Sequence, residues 1–163
     1  MEITTDIPLK GRDWDSAINQ LGSIFANRTN YSIYVLCLSI GIMYDKRIEK
    51  MPDDGYEHSV PRNVIQNNDN GKMDYFFEAA ILSTTTETFT EDERLELAFG
   101  DKHDFNKIAF LTQFANYGVT KLATLIGKDP LESMDNIRNF IVATAEGNNF
   151  ELDELPDDIL VEE

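Results

Sequence analysis

The chain has 163 residues, a length that is typical of one domain with a substantial hydrophobic core. Its 30 acidic residues outnumber 14 basic ones, which gives a formal net charge of −16 at pH 7. Because this charge repels phosphates at long range, it disfavours direct DNA binding and favours either simple solubility or a basic partner.

The N-terminal part of the chain predicts one amphipathic helix. The first ten residues, "MEITTDIPLK", lack a basic stretch followed by an apolar run, so we expect no secretory signal. In residues 13–26, apolar side chains recur at spacings of three and four, which places them on one helical face. These side chains are Trp14, Ile18, Leu21 and Phe25.

Residues 31–44, "YSIYVLCLSIGIMY", form a strongly apolar segment, with eleven apolar or aromatic residues among fourteen. As a helix, this segment rises about 21 Å, which is short of the ~30 Å hydrocarbon core of a bilayer. Three charged residues, Asp45, Lys46 and Arg47, follow it directly. We therefore expect a buried central helix rather than a membrane span, covered by other helices on nearly every side.

The single cysteine, Cys37, lies within this apolar segment. One cysteine cannot form an internal disulfide or a thiolate zinc site, and it fits a reducing compartment. We therefore expect a cytoplasmic protein in which the Cys37 thiol is buried and unreactive, because an apolar environment raises the pKa of a thiol.

Residues 49–72 break the helical pattern with two prolines, two glycines and a cluster of Asn and Asp. A connection of this length without structure of its own is uncommon in a compact domain. We expect a short extended piece within "SVPRNVIQ" and at most one small hairpin in this loop. The segment is also the first candidate for a functional loop.

The C-terminal half predicts further helices over residues 73–82, 91–99, 104–126 and 130–145. Thr90 and Glu93 form a capping-box pattern at the start of the second of these. The sequence "NYG" at 116–118 interrupts the third, which predicts either a kink or a turn between two shorter helices. We expect the last helix to turn five apolar side chains inward: Leu131, Met134, Ile137, Phe140 and Ile141.

These segments together predict an all-α fold, a compact bundle of six or seven helices around a central apolar helix. We divide the chain into a helical domain, residues 1–145, and an acidic tail, residues 146–163. The tail holds eight acidic and no basic residues, so it is either disordered or docked on its own domain or on a partner. Its apolar residues are candidates for partner binding: Phe150, Leu152, Leu155, Ile159 and Leu160.

Motifs that carry catalysis are not found in the sequence. His58 and His103 do not occur in a metal-type spacing, and no phosphate-binding, dinucleotide-binding or nucleophile-elbow motif is present. Pairs of carboxylates do not indicate a catalytic site in this chain, because so acidic a sequence contains many of them by chance. We therefore expect no enzymatic activity and assign no catalytic residues, metal ligands or cofactors.

The scarce basic residues are more informative. Lys46, Arg47 and Arg62 are candidates for a small anion-binding or partner-binding site. The competing interpretation is structural: Lys46 and Arg47 interact with the C-terminal end of the helix dipole, and all three form salt bridges with neighbouring carboxylates.

Four stretches resemble a family of small accessory proteins encoded beside bacterial DNA phosphorothioation (Dnd) defence systems. They are "YSIYVLCLSIGIMYDKR", "VPRNVI", "FFEAAILSTTT" and "FLTQFANYGVTKLATLI", and the resemblance covers about residues 12–140. Asn116, Tyr117 and Gly118 stand where that family usually has a paired glycine. The resemblance implies an accessory or regulatory role in a defence operon, with protein partners and no catalytic residues.

Two main functional hypotheses follow from these observations, beside a third alternative, an enzyme with a metal site built from carboxylates. The first is a non-enzymatic adaptor subunit of an anti-phage defence system, which binds a protein partner from the same operon. The second is an acidic DNA mimic that inhibits a nucleic-acid-binding protein such as a nuclease, with carboxylates in place of phosphates. Self-association of the chain is an open alternative in both, and neither involves a membrane.

Overall fold

A computed structural model describes residues 3–25, 30–100 and 104–147 of the protein. Within these ranges the fold is mostly helical, as predicted, with seven helices and one two-stranded sheet. The elements are β1 (Ile7–Lys10), α1 (Arg12–Leu21), α2 (Asn30–Tyr44), β2 (Glu57–Val60), α3 (Arg62–Asn68), α4 (Lys72–Ser83), α5 (Glu91–Phe99), α6 (Lys107–Thr124) and α7 (Pro130–Ala145). No helix in the described ranges is both long and apolar enough to cross a membrane.

Helices α2 and α6 cross at very short range, and two glycines permit it. A Cβ placed on Gly118 of α6 would lie 1.7 Å from the carbonyl oxygen of Cys37 in α2. A Cβ on Gly41 of α2 would lie 2.0 Å from the carbonyl oxygen of Phe114 in α6. From the contact 37–118 to the contact 41–114, the residue number rises along α2 and falls along α6. The two helices therefore cross antiparallel, with their backbones in contact.

Of the two alternatives predicted at "NYG", a kink or a turn, the turn between two shorter helices is not observed, because α6 runs without a break through residues 116–118. Each residue of this stretch has a packing role. Asn116 is buried and bonds both the Trp14 indole and the Ile48 carbonyl, at 3.1 Å each. Tyr117 packs edge-on against Tyr44, with 5.9 Å between ring centroids. The third residue is the glycine of the helix crossing.

Helix α2 is the centre of the core, as expected, although its cover is incomplete. Its buried residues include Tyr34, Cys37 and Leu38, all with no exposed surface. Ser39 and Met43 are nevertheless exposed, so one stripe of the helix reaches the surface. The Trp14 ring from α1 stacks on the Tyr34 ring at 6.3 Å, which joins the N-terminal helix to the same core.

The long connection between α2 and α4 contains a strand and a short helix. Strand β2 lies in the expected region, but it pairs with β1 rather than with a neighbour in the loop. The pairing is antiparallel, with Ile7 opposite Val60 and both side chains buried. Strand β1 was not predicted, because its alternating pattern is only four residues long and contains just two inward-facing residues, Ile7 and Leu9. Helix α3 was not predicted either.

Local capping signals place the ends of two helices. Thr90 and Glu93 form the predicted capping box at the start of α5, with both reciprocal hydrogen bonds present. At the start of α7, the Asp129 carboxylate accepts hydrogen bonds from the amides of Leu131 and Glu132, at 2.9 Å each. Pro130 occupies the first turn, where its missing N–H costs nothing.

Candidate interaction surfaces

Asp45 joins the end of α2 to the connection between α4 and α5. Its carboxylate accepts hydrogen bonds from the hydroxyl of Thr84 at 2.6 Å and from the amide and hydroxyl of Thr85 at 2.6 and 2.7 Å. Partial burial on its own would raise the pKa of Asp45, but these hydrogen bonds and the nearby Arg47 charge outweigh it and lower the pKa. Asp45 is therefore a stable anion that anchors the threonine-rich loop.

Arg47 packs the same loop onto α6. Its guanidinium forms a 2.7 Å ion pair with Glu87 and donates a hydrogen bond to Thr86. It also lies over the rings of Phe110 and Phe114, 5.1 and 5.5 Å from their centroids. Only 16% of the Arg47 side chain is exposed, so its guanidinium interacts mainly with groups inside the fold and offers little surface to a partner.

Lys46 and Arg62 have other neighbours. The Lys46 ammonium lies 5.8 Å from the centre of the Tyr117 ring. Arg62 bonds the N-terminal segment, through its amide to the Asp6 carboxylate at 2.8 Å and through its guanidinium to the Thr4 carbonyl at 3.1 Å. Lys46 and Arg47 therefore both lie against aromatic rings of α6, whereas Arg62 bonds the N-terminal segment. No contact among the described residues joins Arg62 to the other two.

The remaining predicted site residues belong to the acidic tail. Phe150, Leu152, Leu155, Ile159 and Leu160 lie outside the described residues, which end at Gly147.

A cleft of about 440 Å³ lies between the N-terminal segment and the first half of α6. Its lining includes Asp6, Glu49, Asn106 and Thr112. Three of these already bond the protein itself: Asp6 to the Arg62 amide, Asn106 to the amide of Ala109 as helix cap, and Thr112 to the Ile108 carbonyl. The cleft is thus bounded by groups that hold the fold, and we assign it no ligand. In the described ranges, no group of three or more His, Cys, Asp or Glu side chains is placed to hold a metal ion.

The clearest interaction surface is on α7, where the sequence prediction was wrong for three of five residues. Ile137 and Phe140 are buried, as expected. Leu131, Met134 and Ile141, which were predicted to face inward, are 64%, 46% and 49% exposed. Val142 is 48% exposed beside them. We call these four exposed residues, Leu131, Met134, Ile141 and Val142, the α7 apolar face.

A groove of about 270 Å³ runs beside the α7 apolar face. Ile24 and Phe25, from the turn that follows α1, form one wall. Met134, Ile141 and Val142 of α7 form the other. Among the described residues that line this groove, Arg138 alone is charged and the others are apolar.

The sequence did contain a signal for this surface. At 100° per residue, the apolar residues of α7 from Phe140 round to Val142 span an arc of about 200°, whereas a surface helix buries a stripe of roughly 100°. The core takes the part of the arc that carries Ile137 and Phe140, and the rest must face outward. The spacing alone, without the width of the arc, predicts that all five residues face the core.

Comparison of the chain with protein-family models, with curated proteins and with solved structures finds no match.

Proposed function

We propose that the protein is a non-enzymatic accessory subunit, an adaptor, of a bacterial anti-phage defence system, and that it acts by binding a protein partner. The sequence resemblance to Dnd-associated accessory proteins supports the biological setting. The geometry of the described residues supports the mode of action, because helix α7 exposes an apolar surface suited to another protein.

The observation that carries the proposal is the α7 apolar face. Single exposed apolar residues are normal on a protein surface, but a contiguous set beside an apolar groove is typical of an interaction site. Here four large apolar side chains share one side of a helix, and each is about half exposed or more. Helix α7 also has the dimensions of a recognition element, since its 16 residues rise about 24 Å.

Co-purification tests this proposal. The affinity-tagged protein is expressed from its own locus and the co-eluting proteins are identified by mass spectrometry. We expect the product of a neighbouring gene to co-elute in stoichiometric amount with the unaltered protein and to be lost with Ile141→Glu. Leu95→Glu is the matched control, because Leu95 on α5 is 46% exposed and lies outside the α7 apolar face. Elution of the unaltered protein alone, at monomer mass, would contradict the adaptor function.

The acidic DNA-mimic hypothesis makes the opposite prediction for the same experiment. A mimic binds through carboxylates, so its complex weakens strongly as salt screens the charges. It should also be insensitive to Ile141→Glu. A partner whose binding follows that pattern would favour the inhibitor over the adaptor.

A further inference from the structure

We propose that the groove between α7 and the Ile24–Phe25 turn binds an amphipathic helix that carries basic residues along one edge of its apolar face. This inference rests on the proposed function and specifies the chemistry of the partner. It is drawn from the length of the groove, the position of the acidic residues of α7, and the net charge of the chain.

The groove fits a short helix. Met134 and Val142 line it at eight residues' separation, which corresponds to a length of about 12 Å along α7. Leu131 extends the apolar face by another turn. A partner helix of two to three turns covers this length and presents apolar side chains at positions i, i+3 or i+4, and i+7.

The acidic residues of α7 border only one side of the apolar face. With Arg138 as the centre of the face, helical spacing of 100° per residue places Asp135, Glu146 and Glu132 at about 60°, 80° and 120° on the same side. All three are exposed. The other side of the face meets Ile24 and Phe25 across the groove. A helix seated in the groove therefore meets acidic side chains along one edge, of which Glu132 also accepts a hydrogen bond from the Lys128 amide. Lysine or arginine at that edge of the partner complements them.

Charge also argues against the other occupants. A symmetric contact with a second copy buries the same surface of both chains, so it brings these acidic residues towards one another in a molecule of net charge −16. The chain's own residues 148–163 include seven acidic and no basic residues, so they too would place negative charge beside Asp135 and Glu146. An anionic lipid surface is disfavoured for the same reason. A basic amphipathic helix is the occupant that both the apolar face and its acidic edge favour.

A pair of designed peptides tests the inference on the full chain. Both are fluorescein-labelled 18-residue helices with the same leucine stripe, and they differ only in one edge, which is lysine in the first and glutamate in the second. We expect fluorescence anisotropy at low salt to show binding of the lysine-edged peptide about tenfold tighter than the glutamate-edged one, since three rim charge pairs contribute modestly each. Raising the salt concentration should narrow this difference.

Variants of the protein locate the binding site. Ile141→Glu should weaken binding of the lysine-edged peptide at least about tenfold, and Leu95→Glu should leave it unchanged. The double substitution D135K/N139K places two positive charges on the edge beside Glu132 and Glu146 and so cancels its net negative charge, and it should therefore abolish the preference between the peptides. Unchanged helical content, measured by circular dichroism for each variant, shows that the fold is intact. Val142→Glu serves in place of Ile141→Glu if the latter fails to fold.

Three results would overturn the inference. One is equal affinity for the two peptides, and another is a preference that D135K/N139K does not change. The third is a marked gain in peptide binding when residues 148–163 are deleted, which would identify the tail as the occupant of the groove. These results are independent of the co-purification experiment. If a partner co-purifies despite Ile141→Glu, the adaptor function is supported but the α7 site is not. If the peptides bind selectively but no protein co-purifies, the α7 site is supported but the adaptor function is not.

Discussion

Replacing Gly118 with alanine should destabilise the protein, although the same change in an ordinary helix stabilises it. Alanine is favoured over glycine by about 1 kcal/mol in a helix interior. At Gly118, however, the new Cβ would lie 1.7 Å from the Cys37 carbonyl oxygen, and contacts under 3.0 Å are essentially never observed for a Cβ. Reaching 3.0 Å requires a displacement of 1.3 Å, the difference between these two distances.

The size of the effect follows from the atoms involved. The obstructing atoms belong to the backbone of α2, so no side-chain rotation relieves the clash and the two helices must move apart. Overpacking of a core costs about 1–3 kcal/mol, and a backbone clash belongs at the upper end of that range. After the gain in helix propensity, we expect a net loss of about 2 kcal/mol in the free energy of unfolding. For a domain of this size the melting temperature should fall by about 4–8 °C.

Urea unfolding followed by circular dichroism measures this loss. Gly22→Ala is the matched control, because Gly22 has right-handed helical dihedrals and its added Cβ would approach no atom of the described residues closer than 3.2 Å. We expect its stability to stay within about 1 kcal/mol of the unaltered protein. Gly41→Ala should behave like Gly118→Ala, and the double variant should lose less than the sum, since both act on one helix crossing. A Gly118→Ala protein that is as stable as the original would refute the close crossing of α2 and α6.

Three further predictions concern a buried amide, a partly buried carboxylate and a buried thiol. Asn116→Ala removes the acceptor of the Trp14 indole and the donor to the Ile48 carbonyl, so urea unfolding should show a loss of about 2–4 kcal/mol. The lowered pKa of Asp45 means that its ionised form contributes stability above the usual aspartate value of about 3.9, and that this contribution is lost as the pH falls through the lower value in the folded state. Asp45→Asn should therefore be less stable than the original at pH 7, and acidification from pH 7 to pH 3 should cost it less stability than it costs the unaltered protein. The Cys37 thiol is fully buried and burial raises its pKa, so a thiol reagent should modify it only at the rate of unfolding.

The sequence predicts the helices well where periodicity and capping agree. The capping box of Thr90 and Glu93 places the start of α5, and the apolar run 31–44 corresponds closely to α2. These are local signals, since each depends on residues within a few positions of one another. Strand β1 lacks such a signal. Its four residues become a strand only by pairing with β2, about fifty positions away, and a contact of that kind leaves little trace in the local pattern.

Gly118 shows why a local pattern can suggest a turn at a position where the helix continues. A glycine within a helical pattern weakens the helix, and "NYG" therefore predicted either a kink or a turn. The structure uses the missing side chain for the approach of α2, whose tight packing offsets the lower helix propensity. Nothing within α6 itself distinguishes these two roles. Only the matching glycine at position 41, separated by 77 positions and facing the same crossing, does so.

The candidate site was missed for a related reason. Periodicity shows which side of α7 is apolar, but the number of those residues that the core accepts depends on the neighbours available to cover them. Ile137 and Phe140 find that cover, whereas Leu131, Met134 and Ile141 do not. Lys46, Arg47 and Arg62 are predicted site residues because basic residues are scarce in this chain. The Arg47 guanidinium, however, is mostly buried and forms an ion pair with Glu87 within the fold. In a molecule of charge −16, apolar surface beyond what the core can cover is a more informative signal of binding than a few cations, because a cation can be paired within the fold, as Arg47 is with Glu87.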